Sequence, residues 1–106
     1  MSQGELPDNL ATGNVSLTGH IDVPEEQLEA VRIALPAHIA LTHAEEGCIT
    51  FDVTPCPRVP NRFLVSEMFV DQTAFDAHQT RTKNSSWAEV TKGIPREYSI
   101  HVQDQE

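Results

Sequence analysis

Positive charge is scarce in this sequence. Seven lysines and arginines stand against 16 aspartates and glutamates, which gives a formal net charge of −9. Binding to nucleic acid depends mainly on clustered basic residues that meet the phosphate backbone, and no such cluster is present. We therefore do not expect nucleic acid as a partner.

A long hydrophobic run is also missing. The most apolar stretch, Ala30 to Leu41, is interrupted by Arg32, Pro36 and His38. A helix that spans a bilayer needs about 20 mostly apolar residues, so this stretch is too short and too polar to cross a membrane or to form a signal-peptide core. The sequence predicts a soluble, cytoplasmic protein without membrane contact.

Cysteine is nearly absent as well. Cys48 and Cys56 are eight residues apart around a predicted strand. Extended residues at that separation span about 26 Å, whereas a disulfide needs Cα atoms about 6 Å apart. Neither cysteine belongs to a C-x-x-C pair, and no two of the five histidines are four residues apart. We therefore predict no intrachain disulfide and no metal site built from residues close in the chain.

The length of 106 residues suits one domain with one modest hydrophobic core. Residues 1–13 are polar, contain one proline and two glycines, and show no periodicity. We interpret them as a polar N-terminal tail, with a single domain over residues 14–106.

Periodicity and punctuation residues predict the elements of this domain. Pro36 interrupts the first helix and predicts a kink or a break into two segments. Gly47 is the expected left-handed terminator of that helix. In chain order we predict a strand at 15–23, a helix from Pro24 to about Glu46, strands at 48–54 and 62–70, a helix from the N-cap Asp71 to about Thr82, a short helix within 84–92, and a final strand after Pro95 with Tyr98, Ile100 and Val102 inward.

This β-α-β-β-α-β order is typical of a ferredoxin-like α+β fold, a four-stranded antiparallel sheet of order 4-1-3-2 with both helices on one face. The third strand is apolar on both sides, since Leu64 and Met68 oppose Phe63 and Phe69. Something must therefore cover the second face of the sheet. We expect an identical subunit to do so, giving a homodimer with a barrel-like centre.

Glu67 and His78 are the two most informative titratable residues. Glu67 shares the Phe63 and Phe69 face of a central strand, where an unpaired carboxylate is costly. It is therefore either a structural hydrogen-bond partner or a site carboxylate. His78 shares its helix face with Phe75, and an inward histidine is more often a core residue than a base, although its context here favours the base. With Arg81 one turn later and Trp87 nearby, these residues could border one cavity, although Arg81 could simply neutralise Glu67 and Trp87 could be plain core.

Three other histidines receive weaker interpretations. His20 lies on the polar face of the first strand, where it could belong to a site or line a dimer interface. His38 and His43 lie on the first helix or at its end, and we expect them to be solvated.

Several of these segments together resemble the antibiotic biosynthesis monooxygenase family of small dimeric α+β barrel proteins. The resemblance covers roughly residues 15–102, and its most specific part is the strand glutamate Glu67, the cap Asp71, the pair Ala74 and Phe75, and His78, in this order and spacing. The matching segments are 46–53, 62–71, 74–78 and Trp87.

The resemblance implies oxygenation of small electron-rich aromatics, such as quinols or phenols, with O₂ and without a cofactor. On this interpretation His78 is the base, Glu67 orients it or bonds the substrate, and Arg81 stabilises the anion. Trp87, Phe63 and Phe69 form the cage, and His20 is a further candidate for substrate binding.

The family is mixed, which leaves alternatives open. Many members carry a second histidine where this chain has Lys83, so a mechanism that uses a histidine pair is not expected. The asparagine expected on the first strand of the haem-degrading members is not evident, because Asn14 precedes that strand. A small-molecule isomerase and a noncatalytic ligand-binding module on the same fold are the alternatives to the oxygenase.

Overall fold

A computed structural model describes residues 13–103. The predicted tail therefore lies, but for its last residue, outside the described part of the chain. The elements are β1 (Val15–Asp22), a 3₁₀ turn (Glu25–Gln27), α1 (Leu28–His43), β2 (Cys48–Pro55), β3 (Arg62–Phe69), α2 (Gln72–Lys83), α3 (Ser86–Val90) and β4 (Arg96–Val102).

The four strands form one antiparallel sheet in the order β2-β3-β1-β4. This is the predicted ferredoxin-like arrangement, with β1 and β3 in the middle, and it confirms the predicted fold class. The core lies between the helices and one face of the sheet. It is built from alternate residues of β1, β2 and β3 together with residues of the helices, among them Val15, Leu17, Ile21, Val31, Phe51, Phe63, Val65, Phe69 and Phe75.

The first helix differs from its prediction in one respect. α1 runs unbroken through Pro36, so of the two predicted outcomes, a kink or a break into two segments, the break does not occur. Pro36 and Arg32 both lie on the exposed side of α1, where the Arg32 carbonyl that loses its helical partner can bond to water instead. Because the buried side of α1 keeps its hydrogen bonds, the proline is tolerated.

The turn after α1 depends on glycine. Gly47 has a φ of 95°, as its predicted role requires. A Cβ at this position would also lie 2.6 Å from the Ala74 Cβ of α2. The close approach of backbone and helix brings the residues just before Gly47 against α2, which matters for the site below.

β4 is less covered than predicted. Its register with β1 places Tyr98, Ile100 and Val102 on the helix side of the sheet, as expected. Their relative exposures are nevertheless 40%, 55% and 44%, because the helices pack over the other strands and not over this edge. The prediction that these three residues are inward is correct for the sheet face and wrong for burial.

The opposite face of the sheet is more polar than the pattern of β3 alone suggested. Leu64 and Met68 of β3 have Thr18, Ser16 and His20 of β1 as neighbours, directly or diagonally.

Both cysteines are free thiols. Within residues 13–103 no helix is long and apolar enough to cross a membrane.

Candidate functional site

His78 occupies the centre of the site and is held by its helix. Asp71 caps α2 by accepting a hydrogen bond of 2.8 Å from the Ala74 N–H. Two turns later the His78 ring is only 2% exposed and packs against Phe69 and Phe51, with ring centroids 4.9 and 5.6 Å away. Burial, together with the nearby positive charge of Arg81, lowers the pKa of His78 against the opposing effect of Glu45, which favours the neutral imidazole.

Glu45 fixes the orientation of this ring. His78 Nδ1 lies 2.9 Å from Glu45 Oε1, and the other carboxylate oxygen accepts from Arg81 Nε. Arg81 Nη2 also donates to Thr42 Oγ1 at 3.0 Å. A carboxylate can only accept, so the His78 proton belongs on Nδ1 and the lone pair on Nε2. Nε2 then accepts from the Thr82 hydroxyl at 3.4 Å.

This arrangement corrects one alternative that the sequence left open, namely that Arg81 neutralises Glu67. Arg81 pairs with Glu45, not with Glu67, because the turn before Gly47 brings Glu45 between the helix and the sheet edge. Arg81 therefore contacts Glu45 and Thr42, and the structure shows no contact between Arg81 and the Nε2 atom of His78 among the described residues. Sequence reasoning missed Glu45, which is 33 residues from His78 in the chain and carries no local signal of a partner.

Glu67 lies on the Nε2 side of His78. Its carboxylate projects from β3 and is only 8% exposed, with Oε1 3.9 Å from His78 Nε2. Among the described residues Oε1 has no hydrogen-bond partner. Burial, helped by the negative charge of Glu45, raises the pKa of Glu67 to about 7. Near neutral pH this group is therefore poised between acid and base.

His38 is the clearest wrong prediction among the histidines. It is 5% exposed and stacks on Trp87 with ring centroids 4.7 Å apart and planes within 4°. Its Nδ1 has no partner within the described residues, and burial lowers its pKa to about 4. The signal was present, since His38 shares the buried stripe of α1 with Val31 and Thr42.

His38, Glu67, His78 and Trp87 line a cavity of about 370 Å³, which we call the histidine cavity. Such a volume suits a small organic ligand. Tyr98 reaches this cavity from β4 across Gly19, where a Cβ would lie 2.8 Å from the tyrosine ring. The lining residues are Leu17, His38, Glu67, His78, Gln79, Thr82, Lys83, Trp87, Ala88, Thr91, Lys92, Arg96 and Tyr98.

A second cavity of about 720 Å³ lies on the other side of His78, and we call it the acidic cavity. Glu45, Glu46 and Asp71 contribute its carboxylates, and Arg81 is its only lysine or arginine. Since His78 lines both cavities, its ring forms part of the wall between them.

Of the three aromatic residues predicted to form a cage, one lines a cavity and two do not. Trp87 lines the histidine cavity as predicted. Phe69 supports the His78 ring from below. Phe63 is a core residue paired with Ile21 and lines neither cavity.

His20 is separated from the other predicted site residues. It lies on the opposite face of the sheet, with Nε2 at 3.7 Å from Asp22 Oδ2 and at 3.8 Å from Glu97 Oε1.

Within residues 13–103, no group of three or more histidine, cysteine, aspartate or glutamate side chains is arranged to hold a metal ion.

The fold and the cavity define a small α+β protein that buries a histidine and a glutamate at a ligand-sized pocket. The model of the antibiotic biosynthesis monooxygenase family matches residues 14–89. The chain belongs to this family. A comparison with curated proteins found no match.

Solved structures show the same fold at low sequence identity. A candidate antibiotic biosynthesis monooxygenase from Nitrosomonas europaea is 19% identical with a TM-score of 0.75, over 87% of this chain and 91% of that one. A second candidate, from Deinococcus radiodurans, is 18% identical with a TM-score of 0.74, over 87% and 94%. A conserved protein of unknown function from Bacteroides thetaiotaomicron, described as a possible oxidoreductase, is 20% identical with a TM-score of 0.71, over 88% and 100%. At these identities the likeness concerns the fold.

Proposed function

We propose that this protein is a monooxygenase that oxidises a small electron-rich aromatic, a quinol or phenol, with O₂ and without a cofactor. The observation that carries the proposal is the geometry of His78. Its Nδ1 is bound by Glu45, and its Nε2 faces a cavity with Trp87, Tyr98 and the buried Glu67. A flat apolar wall beside an oriented neutral imidazole suits an aromatic substrate that must lose a proton.

The first step is proton transfer from a substrate hydroxyl to His78 Nε2. The imidazolium that forms is stabilised by the Glu45 carboxylate at Nδ1, as in other carboxylate–histidine pairs. Arg81 holds the second oxygen of that carboxylate and keeps it aligned. In this mechanism Glu45 and Arg81 are positioning residues, and His78 is the base.

The phenolate then gives one electron to O₂, and the resulting radical pair combines to form a C–O bond at a ring carbon. The peroxide takes up the proton held by His78. Loss of the ring C–H proton breaks the O–O bond, so that one oxygen atom leaves as water and the other remains as a carbonyl. A dihydroxyarene and O₂ thus give one hydroxyquinone and one water, and no outside reductant is needed.

Glu67 has a separate role in this proposal. With its pKa raised to about 7, a substantial fraction of the carboxyl group is protonated at neutral pH. The protonated form can donate a hydrogen bond to the substrate oxygen or to the peroxide, where negative charge develops. The orphaned Oε1 supports a partner supplied by the ligand.

Oxygen consumption by the metal-free protein tests the proposal. We expect uptake of one O₂ per hydroxyquinone formed from 1,4-dihydroxynaphthalene or a related quinol. His78→Ala should lower kcat/KM by about 10²- to 10⁴-fold, the usual contribution of a general base. His43→Ala is the matched control, because His43 lies outside the cavity and bonds the Phe51 carbonyl. A folded His78→Ala protein with full activity would exclude His78 as the base.

An isomerase is the second candidate, and one distance favours it. A neutral imidazole nitrogen and a carboxyl oxygen 3.9 Å apart can pass a proton between two atoms of one substrate. Anaerobic turnover separates the two functions, since product formed without O₂ supports the isomerase. Ligand binding without any turnover supports the noncatalytic module.

We further propose that the protein acts as a homodimer in the cytoplasm. The apolar row Tyr98, Ile100 and Val102 on the open edge strand β4 supports a second copy of the chain at this edge, and the free thiols Cys48 and Cys56 suit a reducing compartment. Sedimentation equilibrium measures the mass directly, and a monomer at micromolar concentration would contradict the dimer.

A further inference from the structure

The histidine cavity collects positive charge in a protein that has little of it. Lys83, Lys92 and Arg96 line this cavity, and they are three of the seven lysines and arginines in the chain. They come from three places in the sequence, namely the end of α2, the turn after α3 and the start of β4. We call these three residues the basic rim.

The cations of the basic rim are available to a ligand. Lys83 and Lys92 make no ion pair with any residue of the described range 13–103. Arg96 is held in place by its own neighbourhood, because Nη2 donates to the Thr91 carbonyl at 2.7 Å and Nε to the Ile94 carbonyl at 3.1 Å. Two of its five N–H donors are thus used to fix the guanidinium, and its charge is not neutralised.

The inner end of the same cavity has a different character. All three residues of the basic rim are exposed, whereas His38, Glu67 and His78 are buried. Among residues 13–103, Glu67 is the only acidic residue that lines this cavity. The cavity therefore runs from an exposed cationic mouth to a buried end that can exchange a proton.

A net charge of −9 should repel an anionic ligand from most of this protein surface. A local group of cations at one cavity mouth reverses that field over a short distance and can guide an anion to the cavity. The acidic cavity on the other side of His78 offers no such mouth, since it carries three carboxylates against one arginine. The charge distribution thus distinguishes one entrance from the other.

We propose that the ligand of the histidine cavity is a hydroxylated aromatic acid, whose carboxylate binds the basic rim and whose hydroxyl reaches His78 and Glu67. This inference rests on the proposed function only for the direction of the hydroxyl, because the binding preference can be measured without turnover. It narrows the substrate class from quinols in general to those with a carboxylate at the end of the ring system away from the reacting hydroxyl.

Trp87 makes the test direct, because it is the only tryptophan in the chain and lines the cavity. Quenching of its fluorescence measures the binding of 6-hydroxy-2-naphthoic acid, and the titration is run without O₂ so that this phenol cannot be oxidised during the measurement. The matched neutral ligand is 6-hydroxy-2-naphthamide. We expect the acid to bind about tenfold more tightly than the amide at low ionic strength, with the difference shrinking as salt is added.

Charge reversal locates the preference. The double variant Lys83→Glu/Lys92→Glu should lose the preference for the acid and keep its affinity for the amide. Lys83→Gln/Lys92→Gln should show a smaller loss in the same direction. The control Arg32→Glu/Arg58→Glu makes the same change in net charge at two exposed sites outside the cavity and should keep the preference.

The outcomes separate this inference from the oxygenase proposal. Equal affinity for acid and amide, no quenching by either ligand, or a preference that survives reversal of the basic rim would overturn the inference. Neutral quinols that are oxidised without any benefit from a carboxylate would overturn it while leaving the oxygenase intact. Tight, rim-dependent binding of the acid in a protein that consumes no O₂ would support it and remove the oxygenase.

Discussion

The two cavities on either side of His78 differ in almost every property except the residue they share. The acidic cavity is lined by Glu45 and Arg81, and His78 faces it with Nδ1, which is bonded to Glu45. The histidine cavity is lined by Glu67 and Trp87, and His78 faces it with Nε2, the ring nitrogen nearest Glu67. The difference shows that the tautomer of one imidazole can be fixed at Nδ1 while Nε2 stays open to a ligand. This is possible because Glu45, which fixes the tautomer, does not line the cavity that Nε2 faces.

Apart from the removal of His78 itself, the largest expected effect comes from breaking the contact between Glu45 and His78. In Glu45→Gln the Arg81 guanidinium can only donate, so it takes the amide oxygen and leaves the amide NH₂ facing His78. The ring then carries its proton on Nε2 and no longer acts as a base toward the histidine cavity. We expect kcat/KM for the quinol to fall by about 10²- to 10³-fold.

Glu46→Gln is the control for this change. Glu46 lines the same acidic cavity but makes no hydrogen bond to His78 among the contacts of the described residues. Its activity should stay within about twofold of the wild type, since an exposed charge that does not bond the His78 ring is screened by solvent and weakly coupled to it. A Glu45→Gln protein as active as Glu46→Gln would show that the two sides of His78 are not coupled.

The next effect concerns the pH dependence of stability on the side of Glu67. Its pKa is about 7 in the folded protein against an ordinary value of 4.5. Below pH 4.5 the group is protonated in both states and costs nothing. Between pH 4.5 and 7 the unfolded state has released this proton while the folded state keeps it, so over that range the wild type loses about 3 kcal/mol of stability relative to Glu67→Gln. Urea unfolding of both proteins between pH 4 and 8 measures this difference.

His38 must be considered in that experiment because it acts in the opposite direction. Its folded pKa of about 4 lies below the ordinary 6.5, so His38 destabilises the fold as the pH falls below 6.5. Both proteins contain His38, and the difference between them removes its contribution. A difference in stability that does not change with pH would show that Glu67 is not a strongly perturbed carboxyl group.

The smallest effect is expected from Arg81→Lys. A lysine keeps the positive charge but cannot hold Glu45 and Thr42 at once with the geometry of a guanidinium. We expect kcat to fall about three- to tenfold with little change in KM, and stability to fall by about 1 kcal/mol. A large rise in KM instead would mean that Arg81 contacts the substrate directly, as the anion-stabilising role implied by the family resemblance requires.

The sequence was a good guide wherever neighbours in the chain decide the outcome. The alternation of β3 placed Glu67 on the helix side, and the Asp71 cap and the Phe75 spacing placed His78 inward. It was a poor guide to Arg81, whose nearest carboxylate in space belongs to a distant turn. It also failed at His38, which we predicted to be solvated because histidine is polar. Its position on the buried stripe of α1 indicated the opposite.

The sequence by itself determined the order of the elements and the faces of Glu67 and His78, because the spacing of apolar residues and the positions of proline and glycine are local properties of the chain. The resemblance of several segments to a known family indicated the family. Only the tertiary structure decided that Glu45 binds His78, that His38 stacks on Trp87, and that three cations meet at one cavity. Those contacts join residues from different elements. Their distances depend on how helices and strands pack, and no local pattern encodes that packing.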